Sequence, residues 1–111
     1  MVIDCHVHVC AFTPEHGKTS AHLLSTLPFR FMRWRLGLPG ADAATERALE
    51  QKLIALMDET PQLDAAVVLA FDGVYDEQGN FDEANTHLFV TNDYVAELAR
   101  RYPRRVLLGA S

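Results

Sequence analysis

The stretch Asp64-Ala-Ala-Val-Val-Leu-Ala-Phe71 constrains the fold most tightly. It is a short, nearly continuous apolar run, too short for a helix and rich in β-branched residues. A strand of this kind is covered on both faces, the signature of a parallel sheet. Its neighbours agree. Upstream, Leu49, Leu53, Leu56 and Met57 fall at i, i+4, i+7 and i+8, a helical stripe that Asp42 can cap and Pro61 stops. Downstream, Asn92 can cap a helix carrying Val95, Leu98, Ala99 and Tyr102, ended by Pro103. Val106–Ala110 then reads as another strand.

The chain opens MVIDCHVHVC, a strand with two faces. Ile3, Cys5, Val7 and Val9 alternate with Asp4, His6 and His8. The predicted order is a strand at about 2–10, a loop over 11–41, a helix at about 42–59 and a strand at about 65–71. A loop over 72–91, a helix at about 92–102 and a strand at about 106–110 complete it. Strand, helix, strand, helix, strand implies an α/β protein with parallel strands and right-handed crossovers. The long 11–41 connection is punctuated by Thr13-Pro14, His16-Gly17 and Pro39-Gly40. Within it, Phe29, Phe31, Met32, Trp34, Leu36 and Leu38 interleave with Arg30, Arg33 and Arg35. In the second loop, Val74-Tyr75 and Phe81 around Glu77-Gln78-Gly79-Asn80 suggest a small hairpin.

Composition excludes several functions. The net charge of −5 over 111 residues argues against a general nucleic-acid binder. No apolar run approaches the ~20 residues of a membrane span. Asp4, His6 and His8 interrupt what would be a secretory signal. These readings place the protein in the cytoplasm, without membrane or nucleic-acid partners. Cys5 and Cys10 read as reduced, semi-buried thiols, because no second cysteine pair follows to complete a tetrahedral metal site.

Residues i and i+2 of a strand point the same way, so the rings of His6 and His8 can converge on one point. Neutral imidazoles are good ligands for a divalent ion, and Asp4 could orient one of them or approach the metal. An HxH pair is also often a solvent-facing pair. A polar face on a strand of a βαβ chain nevertheless needs partners. A metal at the C-terminal ends of the strands would supply them.

IDCHVHV resembles the first-strand signature of the amidohydrolase superfamily, whose members are metal-dependent (β/α)₈ barrels. TNDYVAELARRYPRRVLLGAS is similar to the segment leading into the third strand of its amidohydrolase-related branch of hydrolases and non-oxidative decarboxylases. The resemblance implies the first three β/α units of a TIM-barrel-like fold. It also implies a divalent ion, Zn²⁺ first, held by His6 and His8, acting on a small-molecule substrate. Metal-barrel phosphoesterases also open on HxH, but the gap between the first two strands is long for them.

The family draws further ligands from later strands, and eight strands need ~200 residues or more. This chain is therefore expected to be inactive alone, as a fragment, a truncated product or an assembling subunit. Its uncovered sheet face and edges would favour self-association. His16, His22 and His87 are further candidate ligands that read more simply as surface residues. Asp72, just past the second strand, is a candidate rim residue. Arg30, Arg33 and Arg35 could hold a carboxylate substrate from a lid, although a loop packing its aromatics on the barrel mouth is the simpler reading. A membrane-surface role for that stretch is disfavoured by its shortness and by the acidic remainder.

Overall fold

The computed structural model describes residues 1–38 and 40–111. Pro39, half of the Pro39-Gly40 punctuation, lies outside the described residues. The elements are β1 (Ile3–His8), β2 (Gly17–Thr19), α1 (Ala21–Ser25), α2 (Leu27–Leu36) and α3 (Ala43–Asp58), followed by β3 (Ala65–Leu69), β4 (Leu88–Val90), α4 (Asn92–Arg101) and β5 (Val106–Gly109). β1, β3 and β5 form a parallel sheet in the order β1-β3-β5. The chain is thus an α/β domain in which each strand of the parallel sheet lies beside the next strand of that sheet in sequence.

β2 and β4 pair antiparallel, with Gly17 opposite Val90. Gly17 is required there. Its φ is 145°, and an added Cβ would stand 2.0 Å from the Phe89 carbonyl oxygen. Phe71 bridges Val90, which ties this ribbon to the end of β3.

One face of the sheet carries the core. Ala66 and Val68 are fully buried, and Val106 and Ala70 nearly so. Val90, Tyr94, Val95 and Leu98 pack on them, with Leu53 and Ile54 of α3 at the margin. The other face is open. Val67 and Leu69 are half-buried, and Phe71 and Leu107 are exposed. The expectation that β3 is covered on both faces is therefore corrected. Helices cover one side only, which leaves the alternate residues of an apolar run facing out.

Four further expectations change. First, the predicted 11–41 loop contains β2, α1 and α2. In α2, Pro28 sits in the first turn, no β-branched residue interrupts, and Gly37 closes the end at φ 63°. Its aromatics fall on two opposite sides, so no single stripe marks it as helical. The predicted 72–91 loop likewise contains β4, while Tyr75 and Phe81 do bridge as the small hairpin requires.

Second, the cap of α4 is Thr91, whose hydroxyl accepts from the Tyr94 N–H at 3.2 Å; Asn92 is already helical. Asp42 caps α3 as expected, accepting from the Thr45 N–H at 2.9 Å. Third, the buried face of α3 runs through Glu46, Glu50, Leu53 and Met57, and Leu56 is 57 % exposed. Fourth, the register of β1 shifts between Asp4 and Val7, where β1 carries one residue more than β3. At this bulge Cys5 is exposed instead of semi-buried, while Cys10 is partly buried and both thiols are free.

Candidate metal centre

The bulge decides what β1 presents to each face. Val7 stands beside Val68 on the core side, and His8 stands beside Leu69 on the open side. His8 then meets Phe71 edge-on, with ring centroids 5.4 Å apart. His6 and His8 converge. Their rings are perpendicular with centroids 4.8 Å apart, and their Nε2 atoms are separated by 3.1 Å. Two nitrogens each ~2.0–2.1 Å from one tetrahedral ion lie roughly 3.3 Å apart. The pair therefore has very nearly the bite such an ion needs. Both residues are exposed at the C-terminal end of the strand. In the metal-free pair one Nε2–H can donate to the other ring's lone pair.

Asp4 serves the backbone. Its Oδ1 accepts from the His6 N–H at 3.0 Å, which spans the bulge and holds the turn that aims the imidazole. The other candidates lie elsewhere. His16 Nδ1 bonds Glu46, its Nε2 lies 3.6 Å from Glu97, and its ring stacks on Tyr94 at 4.1 Å. His22 and His87 face each other with centroids 4.9 Å apart, and His87 Nδ1 bonds the Ser20 hydroxyl at 3.0 Å. Among the described residues, no group of three or more His, Cys, Asp and Glu side chains is placed to hold one ion. Among the described residues, His6 and His8 are thus the two candidate ligands brought together.

Asp72 follows Phe71 and accepts from the Gly73 N–H at 2.8 Å and the Tyr75 hydroxyl at 3.2 Å. Its charge raises the Tyr75 pKa. With Val90, Thr91, Asn92 and Ser111 it lines a cleft of about 370 Å³ at the C-terminal end of the strands. Arg30 and Arg35 are exposed on α2 and Arg33 is half-buried there.

A second polar centre lies on the helical side, built around Glu46 and Glu50, two residues that no sequence motif marks. Glu46, 5 % exposed, accepts from the N–H groups of Phe12 (2.7 Å) and Thr13 (3.1 Å), from the Thr13 hydroxyl and from His16. Glu50, 6 % exposed, accepts from Arg101 Nη1 at 2.5 Å and from the Tyr102 hydroxyl at 2.8 Å. Burial, then the charges of Glu46 and Glu50, push the Tyr94 hydroxyl far above its ordinary pKa. The hydrogen bonds that Arg101 donates to the Glu50 carboxylate raise the guanidinium pKa further. Every carboxylate here has charge-assisted donors, so this cluster pins the 12–16 segment to α3 and α4. The signal in the sequence was the spacing of Glu46 and Glu50 with Leu53 and Met57 on one helical face.

No family model, curated protein or solved structure matches the chain.

Proposed function

We propose that this chain is the metal-binding opening portion of an amidohydrolase-like hydrolase or decarboxylase, with His6 and His8 as two ligands of a divalent ion. One observation carries the reading: the 3.1 Å separation of the two Nε2 atoms at the C-terminal end of β1. The strand order supports it, since β1-β3-β5 is the order of consecutive strands in a (β/α)₈ barrel. A bound Zn²⁺ would supply Lewis acidity toward a substrate oxygen or lower the pKa of water. The chain's own residues would do the positioning. Asp4 holds the backbone that aims His6, Phe71 walls the ring of His8, and Asp72 borders the cleft that a small substrate would enter. Two imidazoles leave the ion's other positions to water, substrate or ligands outside the described residues, so turnover by these residues alone is not proposed.

The test is titration with Zn²⁺ or Co²⁺ against a chromophoric chelator. The wild-type protein should bind one equivalent, and His6→Ala and His8→Ala should each weaken it at least ~10-fold, the scale of losing contacts that matter to a metal site. Equal binding by wild type and the double variant would sink the proposal.

A second reading, association through the sheet, is favoured by the exposure of Leu107 (39 %) and Phe71 (42 %) on the open face, between two unpaired edges. Sedimentation at rising concentration tests it, and a monomer throughout would count against it.

A further inference from the structure

α2 carries a second unpartnered surface, of different chemistry from the sheet. At 3.6 residues per turn, Trp34, Leu27 and Phe31 fall within a ~60° arc of the helix, with Arg30 to one side and Arg35 to the other. The arc faces solvent: Leu27 is 77 % exposed, Phe31 63 % and Trp34 75 %. Phe29, Arg33 and Leu36 take the opposite, half-buried side. The helix therefore has an inner face that packs and an outer apolar ridge with an arginine on each flank.

Charge is segregated along the chain in the same place. Between Glu15 and Asp42 there is no acidic residue, while Lys18, Arg30, Arg33 and Arg35 are basic. The rest of the chain holds all 15 acidic residues against six basic ones. Lys18 is neutralised by Glu83 at 3.1 Å. Among the described residues no ion pair involves Arg30, Arg33 or Arg35.

We propose that the outer face of α2 docks on an anionic phospholipid surface. Trp34, Leu27 and Phe31 would enter the boundary between headgroups and acyl chains. Arg30 and Arg35 would reach sideways to phosphates, which a guanidinium grips in a bidentate fork. Shortness disfavours a membrane-surface role for a loop, which displays no continuous apolar side. Helix formation gathers its apolar residues on one ridge.

Two other occupants fit less well. A second copy seated ridge to ridge would bring four unneutralised arginines together. A folded protein partner needs a complementary surface, yet Leu27, Phe31 and Trp34 project from the helix as a convex ridge, each more than 60 % exposed. A fluid bilayer moulds around a convex ridge.

Trp34 is the chain's single tryptophan, so its emission reports on this surface alone. The protein is mixed with vesicles of phosphatidylcholine, with or without phosphatidylserine. Emission should move to shorter wavelength, and protein should co-sediment, only with the anionic vesicles, and added salt should reverse both. Arg30→Gln and Arg35→Gln should each weaken partitioning about five-fold. Leu27→Ser with Phe31→Ser should abolish it with the far-UV circular dichroism unchanged, because both side chains are exposed.

Three results would overturn the proposal. One is the absence of any response, or an equal response to both vesicle types. Another is a concentration-dependent shift without lipid, which would assign the ridge to a second copy. The last is a shift with polyglutamate but not with vesicles, which would assign it to an acidic protein.

Discussion

Replacing Glu46 with alanine tests whether the helical-side cluster holds the domain together. The carboxylate is 5 % exposed and accepts two backbone N–H groups, a hydroxyl and an imidazole. Its removal leaves the Phe12 and Thr13 N–H groups without acceptors, at ~1–3 kcal/mol each. The whole loss should fall near 3–5 kcal/mol, the range for deleting one partner from a buried charged contact. A chain of this length has ~5–15 kcal/mol of stability to lose. With a urea slope of ~1–3 kcal/mol per M, the midpoint should fall by roughly 2 M.

Glu46→Gln separates charge from hydrogen bonding. Both backbone donors bond Oε2. A glutamine oxygen placed there keeps them, and the contacts at Oε1, with His16 and the Thr13 hydroxyl, are compromised. It should cost less than half as much as the alanine. A double-mutant cycle with His16→Ala should show coupling between the two sites. Urea unfolding followed by far-UV circular dichroism measures all four proteins. A loss below ~1 kcal/mol for Glu46→Ala would refute the reasoning, since it would mean that water replaces the carboxylate at the Phe12 and Thr13 amides.

Two further outcomes are expected. Burial raises the Cys10 pKa, so at neutral pH its thiolate is scarce. Iodoacetamide followed by mass spectrometry should modify exposed Cys5 first and Cys10 only slowly; equal rates would contradict the burial. Asp42, the α3 cap, has its pKa lowered chiefly by the Thr45 N–H. Its stabilisation is therefore full above the unfolded aspartate value of ~3.9 and is lost as pH falls through the lower folded value. Asp42→Ala should be less stable than wild type at pH 7, and the gap should close below that range; a gap independent of pH would disprove it.

How much of this was legible in the sequence differs from element to element. β3, α3, α4 and β5 were legible because their apolar spacing and their stops at Pro61 and Pro103 agree with one another. α2 was hidden, because Phe29 and Leu36 face inward while Phe31 and Trp34 face outward, and two apolar sides cancel any single periodicity. The burial of Glu46 was hidden for a different reason. It depends on donors from Phe12, Thr13 and His16, residues of another segment that no reading of α3 alone can supply. The HxH pair was visible as an i, i+2 spacing, and the structure brings the two rings together. Among the described residues no third candidate ligand joins His6 and His8.

The bulge in β1 gives its chain length a meaning that residue identity does not have. Val7 lies beside Val68 and His8 beside Leu69, with one extra residue after Asp4. Removing one residue between Asp4 and Val7 would take out the bulge, and Val7 would stay beside Val68 and His8 beside Leu69 in an uninterrupted ladder. A single-codon deletion here would keep interior and surface as they are for the rest of the strand, whereas the same deletion in a bulge-free stretch would exchange them. These few residues are therefore the place where β1 can lose one residue without turning its faces over.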